Sequence, residues 1–132
     1  AGGILAQDPE MFELQTPHHL LKHEFSIDSA GAGQWRGGLG VETTIRFYGD
    51  RVKGVVFGDG VDEEARAFGL FGGKAGSINE MSFRFDNGKL HRPKSKEIIS
   101  ELPPGTVLRQ VAGAVADSAI LFQDLQTVSQ KR

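Results

Sequence analysis

The feature that most constrains this chain is a glycine-rich stretch at residues 28–42, which reads DSAGAGQWRGGLGVE. It holds five glycines, one arginine and the only tryptophan of the protein. Glycine loses more backbone entropy on folding than any other residue, so such a cluster is expected where the backbone needs a positive φ or a close approach. We therefore predict a long turn here, the first glycine segment, with Trp35 as its buried anchor.

Three roles for the first glycine segment can be weighed from its residues. A dinucleotide site is disfavoured, because the GxGxxG pattern is incomplete and no helical pattern follows at once. An anion could be held by backbone N–H groups of the turn and by Arg36, since glycine-rich turns form anion-binding concavities. The alternative, which the sequence favours, is a rigid structural turn in which the stem of Arg36 lies over the Trp35 ring.

Length and composition favour a single domain over residues 1–132. A chain of 132 residues is long enough to bury a core, and the absence of cysteine excludes disulfides and thiol catalysis. The formal net charge of -2 provides no general attraction to nucleic acid or to an anionic membrane. No apolar run approaches the roughly 20 residues that span a bilayer, so we expect a cytoplasmic protein.

The hydrophobic pattern predicts a mainly β fold. Residues 21–27 alternate apolar and polar side chains, and we predict a half-buried strand with one face formed by Leu21, His23, Phe25 and Ile27. Several segments of this kind follow, separated by glycine-containing turns. We expect one domain of antiparallel hairpins, as a small sandwich or an open barrel.

The later segments predict two hairpins and a further strand. Residues 41–48 and 52–57 flank Gly49-Asp50 and are predicted to pair with each other. Residues 81–85 are predicted to pair with a strand that starts at Leu90, through a type I′ turn at Asn87-Gly88. The turn at residues 103–105 precedes a strand predicted at residues 106–111.

Short helices are predicted at both ends of the chain. Asp8 followed by Pro9 is typical of a helix start, and we predict one or two helical turns that Thr16-Pro17 ends. In the tail, Leu121, Leu125 and Val128 fall at i, i+4 and i+7, which predicts a short amphipathic helix.

Metal and phosphate sites find little support in the sequence. The histidines His18, His19 and His23 lack a neighbouring set of cysteines or carboxylates that would complete a zinc site. The acidic residues 59–64 lack the spacing of a calcium loop. Residues 69–74, GLFGGK, are one residue short of a Walker A loop, and Ala75 stands where a magnesium-binding Ser or Thr is needed. No Gly-x-Ser-x-Gly elbow is present, so we predict no catalytic residue and no cofactor or metal site on this chain.

Two glycine motifs carry a resemblance to a known family. The run at residues 28–40, followed about thirty residues later by GLFGGKAG at residues 69–76 and then by the LPPGTV turn at residues 102–107, resembles the C-terminal part of the hydantoinase B/oxoprolinase family. The resemblance extends from about Thr16 to about Val111. Family members usually end in glycines leading to Gly-Asp-Pro and have an arginine-rich segment before the second motif, whereas this chain has AGAVAD at residues 112–117 and the acidic residues 59–64.

The resemblance implies a role in a larger assembly. Members are the large B-type subunits of ATP-dependent amide-ring hydrolases and of acetone and acetophenone carboxylases, and they work beside an A-type subunit that looks like an actin-type ATPase. We therefore expect a small, non-catalytic subunit of an ATP-dependent ketone carboxylase complex that completes a B-type large subunit. The alternatives are a subunit of an amide-ring hydrolase, an enzyme component in which Arg36 or Lys74 binds an anion, and a free-standing ligand-binding β module. ATP and a divalent metal are expected elsewhere in the complex.

The same two motifs suggest where partners bind. Both combine glycines with large apolar side chains, and an isolated soluble domain seldom leaves such apolar patches exposed to solvent. Interface hot spots favour Trp and Arg. We predict that the A-type and B-type subunits are contacted by at least one of the two motifs, through Trp35, Arg36, Leu39, Phe68 and Phe71.

Overall fold

A computed structural model describes residues 5–32, 36–50, 52–58 and 60–113. One helix, α1, is followed by seven strands within these ranges, and a single 3₁₀ turn lies at Glu63–Ala65. The prediction of a mainly β fold is confirmed. The elements are α1 (Pro9–Gln15), β1 (His19–Phe25), β2 (Val41–Arg46), β3 (Val52–Phe57), β4 (Glu80–Arg84), β5 (Leu90–His91), β6 (Lys96–Leu102) and β7 (Val107–Val111).

The strands form two open sheets. A five-stranded sheet has the order β1-β2-β7-β4-β5, and β3 pairs with β6 in a two-stranded sheet. The β3–β6 and β4–β5 pairs are antiparallel, and of these two pairs only β4–β5 was predicted. Neither sheet closes into a barrel. The last strand of the described residues, β7, is the middle strand of the larger sheet.

The helix α1 forms where the cap signal predicts it. The Asp8 carboxylate accepts hydrogen bonds from the backbone N–H groups of Glu10 and Met11, at 2.8 and 3.3 Å, and Pro9 occupies the first turn. The helix ends at Gln15, and the N–H of the C-cap residue Thr16 donates to the Phe12 carbonyl. The predicted tail helix at Leu121, Leu125 and Val128 lies outside the described residues.

The hairpin predicted between residues 41–48 and 52–57 is wrong, because β2 and β3 belong to different sheets. Phe47, which directly follows β2, instead bonds to the residues that precede β7. Its N–H donates to the Thr106 carbonyl, and its carbonyl accepts from Gly105 N–H, both at 2.8 Å. Gly49 then turns the chain with a φ of +120°, a conformation that favours glycine. Local turn residues therefore marked the end of a strand without identifying its partner.

The β4–β5 hairpin is confirmed, but its turn is not type I′. Gly88 N–H donates to the Phe85 carbonyl at 2.9 Å, and Gly88 has a φ of +79° while Asn87 has a negative φ. A type I′ turn needs a positive φ at both central residues, so this is a three-residue loop closed by a left-handed glycine. The strand β6 was not predicted, because lysines at its start resemble a solvated stretch.

The burial predicted for β1 is reversed. Leu21, His23, Phe25 and Ile27 are exposed, whereas Leu20 on the opposite face is half-buried. Alternation identifies which side chains share a face but not which face the rest of the chain covers.

The chain divides into two compact units. Unit 1 comprises Ala1–His23, Thr43–Phe57 and Met81–Arg109, and unit 2 comprises Glu24–Glu42, Gly58–Glu80 and Gln110–Arg132. A single domain over residues 1–132 stays a prediction. The core of unit 1 consists of three buried side chains and the half-buried ones around them, namely Val56, Phe83 and Leu102 with Phe47, Val52, Met81, Phe85, Ile99 and Leu108.

Candidate interaction site at the two glycine segments

The first glycine segment is closed at its base by hydrogen bonds. Ser26 N–H donates to the Gly40 carbonyl at 2.7 Å. The Ser29 hydroxyl donates to the Ser26 carbonyl and accepts from Gly40 N–H, each at 2.8 Å. Because one hydroxyl bonds to both residues, Ser29 holds Ser26 and Gly40 together. Ala30 beside it is buried.

The second glycine segment, residues 68–76, contains a tight turn. Gly73 N–H donates to the Leu70 carbonyl at 2.9 Å, and the two central residues, Phe71 and Gly72, have φ values of +52° and +88°. Positive φ at both central positions is the pattern of a type I′ turn. The left-handed region is unfavourable for a bulky aromatic residue, so Phe71 carries backbone strain that the surrounding structure must hold.

Glycine is required at Gly69 by a close backbone approach. A Cβ atom at this position would lie 1.8 Å from the Gly73 carbonyl oxygen, far inside van der Waals contact. Gly76 N–H donates to the Ala67 carbonyl at 3.0 Å and ties the ends of the segment together. The glycines here therefore allow two passes of backbone to touch.

The two glycine segments meet within unit 2. Lys74 N–H donates to the Ala32 carbonyl at 3.2 Å, which joins the first segment to the second across more than forty residues of sequence. Asn79, which follows the second segment, makes two further hydrogen bonds. Its N–H donates to the Gly60 carbonyl at 2.7 Å, and its side-chain oxygen accepts from Gly113 N–H. Backbone hydrogen bonds of this kind give the two motifs a common scaffold.

The apolar side chains on this scaffold face outward. Leu39, Phe68, Leu70 and Phe71 are all exposed, with half of the Phe71 side chain accessible to solvent. Arg36 is exposed as well. Trp35, predicted to anchor the first segment and to stack on Arg36, lies outside the described residues. Four of the five predicted contact residues are therefore on accessible positions of unit 2.

The described residues of the two segments do not form a phosphate cradle. The Arg36 guanidinium forms an ion pair with the Asp28 carboxylate, so a nearby anion would compete with an existing partner. The N–H groups of Gly73 and Lys74, which a phosphate loop would aim at its ligand, donate to carbonyl oxygens. These described N–H groups and the Arg36 side chain therefore do not fit a nucleotide.

The three histidines His18, His19 and His23 contact aromatic residues and a hydroxyl rather than one another's potential metal ligands. His18 accepts from Tyr48 N–H and meets the Phe47 ring edge-on, whereas His23 Nδ1 lies 2.9 Å from the Thr43 hydroxyl. His19 packs on the Tyr48 ring. Within residues 5–32, 36–50, 52–58 and 60–113, no three His, Asp or Glu side chains converge as a metal site would require.

A family model for hydantoinase B/oxoprolinase matches residues 1–114. The chain belongs to the hydantoinase B/oxoprolinase family. The match is longer than the predicted resemblance, which began at about Thr16 and ended at about Val111, and it includes both glycine segments. No curated protein sequence matches the chain.

Family membership supports a role in an ATP-dependent hydantoinase/oxoprolinase-type system. The two motifs that carried the resemblance are the two segments that the Lys74–Ala32 hydrogen bond joins. In this hydantoinase B-type chain they are thus parts of one structure rather than two independent loops. Among the residues described, no helix is long and apolar enough to cross a membrane.

A second exposed apolar region was missed by sequence reasoning. Val55, Phe57 and Ile98 are exposed on the two-stranded sheet of unit 1. The available signal was the nearly continuous apolar run in residues 54–57, which is typical of a strand with apolar side chains on both faces.

Proposed function

We propose that this chain is a small, non-catalytic structural subunit that completes a B-type large subunit in an ATP-dependent ketone carboxylase complex, similar to the small subunit of acetophenone carboxylase. The observation that carries the proposal is the pair of hydrogen-bonded glycine segments that present Leu39, Phe68 and Phe71 to solvent. Rigid backbone with exposed aromatic side chains suits a contact surface, because little conformational entropy remains to be lost on binding.

The strain at Phe71 supports the same role. An aromatic residue in the left-handed region costs the isolated chain about 1–2 kcal/mol relative to a glycine there. Half of Phe71 is still exposed, so apolar surface remains that the chain itself does not bury. Burial of this surface against a partner would add stabilisation of about 25 cal/mol per Å².

The reaction belongs to the assembly rather than to this chain. ATP and a divalent metal are assigned to other subunits, with nucleotide on the A-type subunit, and no catalytic, cofactor or metal residue is assigned here. The proposed partners are A-type and B-type subunits in the cytoplasm, without nucleic acid or membrane. The family description also names oxoprolinases, so amide-ring hydrolysis is the second candidate reaction.

The test is assembly with A-type and B-type chains from the same source. The full chain is co-expressed with both, and we expect a complex of fixed stoichiometry whose ATP-dependent turnover requires this chain. Assays of ketone carboxylation and of amide-ring hydrolysis then separate the two candidate reactions. Turnover by the purified chain alone, lost on a single substitution, would contradict a non-catalytic role.

The contact residues are tested in the same complex. Phe71→Asp and Arg36→Glu should each leave the chain folded by circular dichroism but weaken co-purification with the larger subunits. Leu5→Asp is the matched control, because Leu5 is also an exposed apolar residue but lies outside both glycine segments. Normal assembly of both variants would show that the segments are internal turns.

A further inference from the structure

The chain contains two asparagines, and one of them is followed by a glycine. Asn87 precedes Gly88 in the β4–β5 loop, whereas Asn79 precedes Glu80. A backbone nitrogen attacks the side-chain amide carbon of the asparagine before it because the product is an unstrained five-membered ring. A side chain on the following residue hinders this attack, and glycine has none. The two asparagines therefore differ in their susceptibility to this reaction.

The β4–β5 loop places the two reacting groups side by side. The Asn87 Oδ1 atom accepts a hydrogen bond from Lys89 N–H at 3.0 Å. An asparagine oxygen bonded to the N–H two residues later forms an Asx turn. This bond folds the side-chain amide back over the intervening peptide, so the amide carbon lies beside the Gly88 nitrogen. Groups held in this way need less rearrangement before they react.

The Asn87 amide is accessible, whereas the Asn79 amide is a fixed part of the structure. Asn87 and Gly88 are both exposed, so water and buffer bases reach them. Among the described residues, nothing lies within 4 Å of a Cβ built at Gly88. Asn79 is half-buried, and its side-chain oxygen accepts a hydrogen bond from Gly113 N–H.

One hydrogen bond in the loop opposes the reaction. Gly88 N–H donates to the Phe85 carbonyl at 2.9 Å. The nitrogen becomes a nucleophile only when it loses this proton, and the hydrogen bond shields the proton from base. The loop must therefore open locally before Gly88 reacts. Opening costs little free energy in an exposed loop that leads to a strand at the edge of the sheet.

We propose that Asn87 is a site of spontaneous deamidation, in which the Gly88 nitrogen is the nucleophile and opening of the β4–β5 loop controls the rate. A bond forms between Gly88 N and Asn87 Cγ, the bond from Cγ to Nδ2 breaks, and Nδ2 leaves as ammonia with the proton that Gly88 N releases. Water then opens the cyclic imide. Attack at the side-chain carbonyl gives isoaspartate or aspartate according to which C–N bond breaks: cleavage from Cγ gives aspartate, and cleavage from the backbone carbonyl carbon gives isoaspartate.

The two products change the loop in different ways. Aspartate adds one negative charge beside Asp86. Isoaspartate adds the same charge and also inserts one carbon into the backbone between Phe85 and Lys89, whose N–H and carbonyl pair at 2.9 Å to close the loop. We expect isoaspartate to weaken this closure. The reaction requires this chain and water alone, so it is independent of the proposed function.

The first experiment follows the reaction in the full chain. The folded chain is incubated in neutral buffer, and peptide mapping by mass spectrometry locates each asparagine that has become a carboxylate. We expect conversion at Asn87 and none at Asn79, with isoaspartate in the peptide that contains residue 87. Aspartate as the sole product would overturn the proposal, because direct hydrolysis of the amide gives no isoaspartate.

The second experiment compares the folded chain with the chain in guanidinium chloride. Denaturation removes the hydrogen bond from Gly88 to Phe85, and we expect deamidation at Asn87 to become at least about fivefold faster. Equal rates would show that the loop exerts no control. An Asn87 that is still unmodified in the folded chain when the denatured chain has reacted completely would show that the folded protein has no such site.

A matched pair of alanine substitutions tests the nucleophile. Gly88→Ala puts a side chain beside the attacking nitrogen, and we expect deamidation at Asn87 to become at least about tenfold slower, in the folded and in the denatured chain. Alanine at a φ of +79° strains the loop and favours its opening, so a slower reaction reports the hindered nitrogen. Gly58→Ala, where a Cβ also meets no described atom within 4 Å, should leave the rate unchanged. An unchanged or faster reaction in Gly88→Ala would overturn the role of Gly88.

The effect of the inserted carbon is measured by amide hydrogen exchange. The isoaspartate form is purified from the incubated chain and compared with the Asn87→Asp variant, which carries the same charge on an ordinary backbone. We expect faster exchange of the Phe85 and Gly88 amides in the isoaspartate form, because both N–H groups donate within the loop. Equal exchange in the two forms would contradict the expected weakening of the loop.

Discussion

Different kinds of contact stabilise the interior of unit 1 and the interior of unit 2. In unit 1 the apolar side chains Val56, Phe83 and Leu102 pack into a small core. In unit 2 the described contacts of the glycine segments are mainly backbone hydrogen bonds, such as those from Gly73 to Leu70 and from Lys74 to Ala32. Packing tolerates side chains of similar volume, whereas close backbone contact tolerates no side chain at all. The two units should therefore fail under different substitutions.

Leu102→Ala should give the largest loss of stability. Leu102 is 2% exposed and packs against Gly54, so removing three carbons leaves a cavity that neighbouring groups fill only in part. We expect the free energy of unfolding to fall by about 3 kcal/mol in urea denaturation. Leu90→Ala, at an exposed leucine of the β4–β5 hairpin, is the control and should cost far less. A loss under about 1 kcal/mol would mean that the core lies elsewhere.

Gly69→Ala tests the backbone contact of unit 2. The added methyl group would lie 1.8 Å from the Gly73 carbonyl oxygen, so the turn must move, and we expect a loss of about 2–3 kcal/mol. Amide hydrogen exchange should become faster at Gly73 and Lys74.

Gly58→Ala is the matched control for this substitution, because nothing lies within 4 Å of a Cβ at Gly58 and its φ is ordinary. It should be neutral or stabilising by about 0.5 kcal/mol. Equal effects of the two alanines would contradict the role given to the Gly69 contact.

Phe71→Asn should change the free energy of unfolding by a smaller amount and in the opposite direction, as a stabilisation. Asparagine tolerates a positive φ better than phenylalanine, so relief of strain should stabilise the isolated chain by about 0.5–1 kcal/mol. Phe68→Asn is the control, since Phe68 is exposed and has a negative φ. Thermal unfolding of both variants measures the difference. Destabilisation by Phe71→Asn would mean that the ring is packed within the chain.

Glu97→Gln should give the smallest loss in the free energy of unfolding, and only above a certain pH. The N–H of Lys94, together with His91, lowers the pKa of the Glu97 carboxyl below its ordinary value of 4.5. Its stabilising contribution is thus present above about pH 4.5 and is lost as the pH falls through the lowered pKa. Urea titrations at several pH values should show a difference between wild type and variant that shrinks in acid. Glu101→Gln on the same strand is the control.

Sequence reasoning succeeded where local chemistry decides the structure. The Asp8 cap and the β4–β5 hairpin each depend on residues close in sequence. It failed where a distant partner decides. Nothing near β2 indicates that it pairs with β7, and nothing in the alternation of β1 indicates that Leu21 and Phe25 face solvent.

At the candidate site, too, some features could be predicted from the sequence and others could not. The positions of Arg36, Leu39, Phe68 and Phe71 on accessible backbone follow from the motif residues, and their role as partner contacts stays a prediction. The hydrogen bond between Lys74 and Ala32 could not be predicted, because a backbone contact leaves no signature in residue type.

The position of β7 has a consequence for synthesis of the chain on the ribosome. The strands β1 and β2 pair early, and β4 and β5 form a local hairpin, but the strand that joins these two pairs is residues 107–111. Until those residues have left the exit tunnel, β2 and β4 each present an open edge that can recruit another strand. Assembly of the five-stranded sheet must therefore wait for β7, and the long interval between β2 and β7 in sequence predicts slow, chaperone-sensitive maturation.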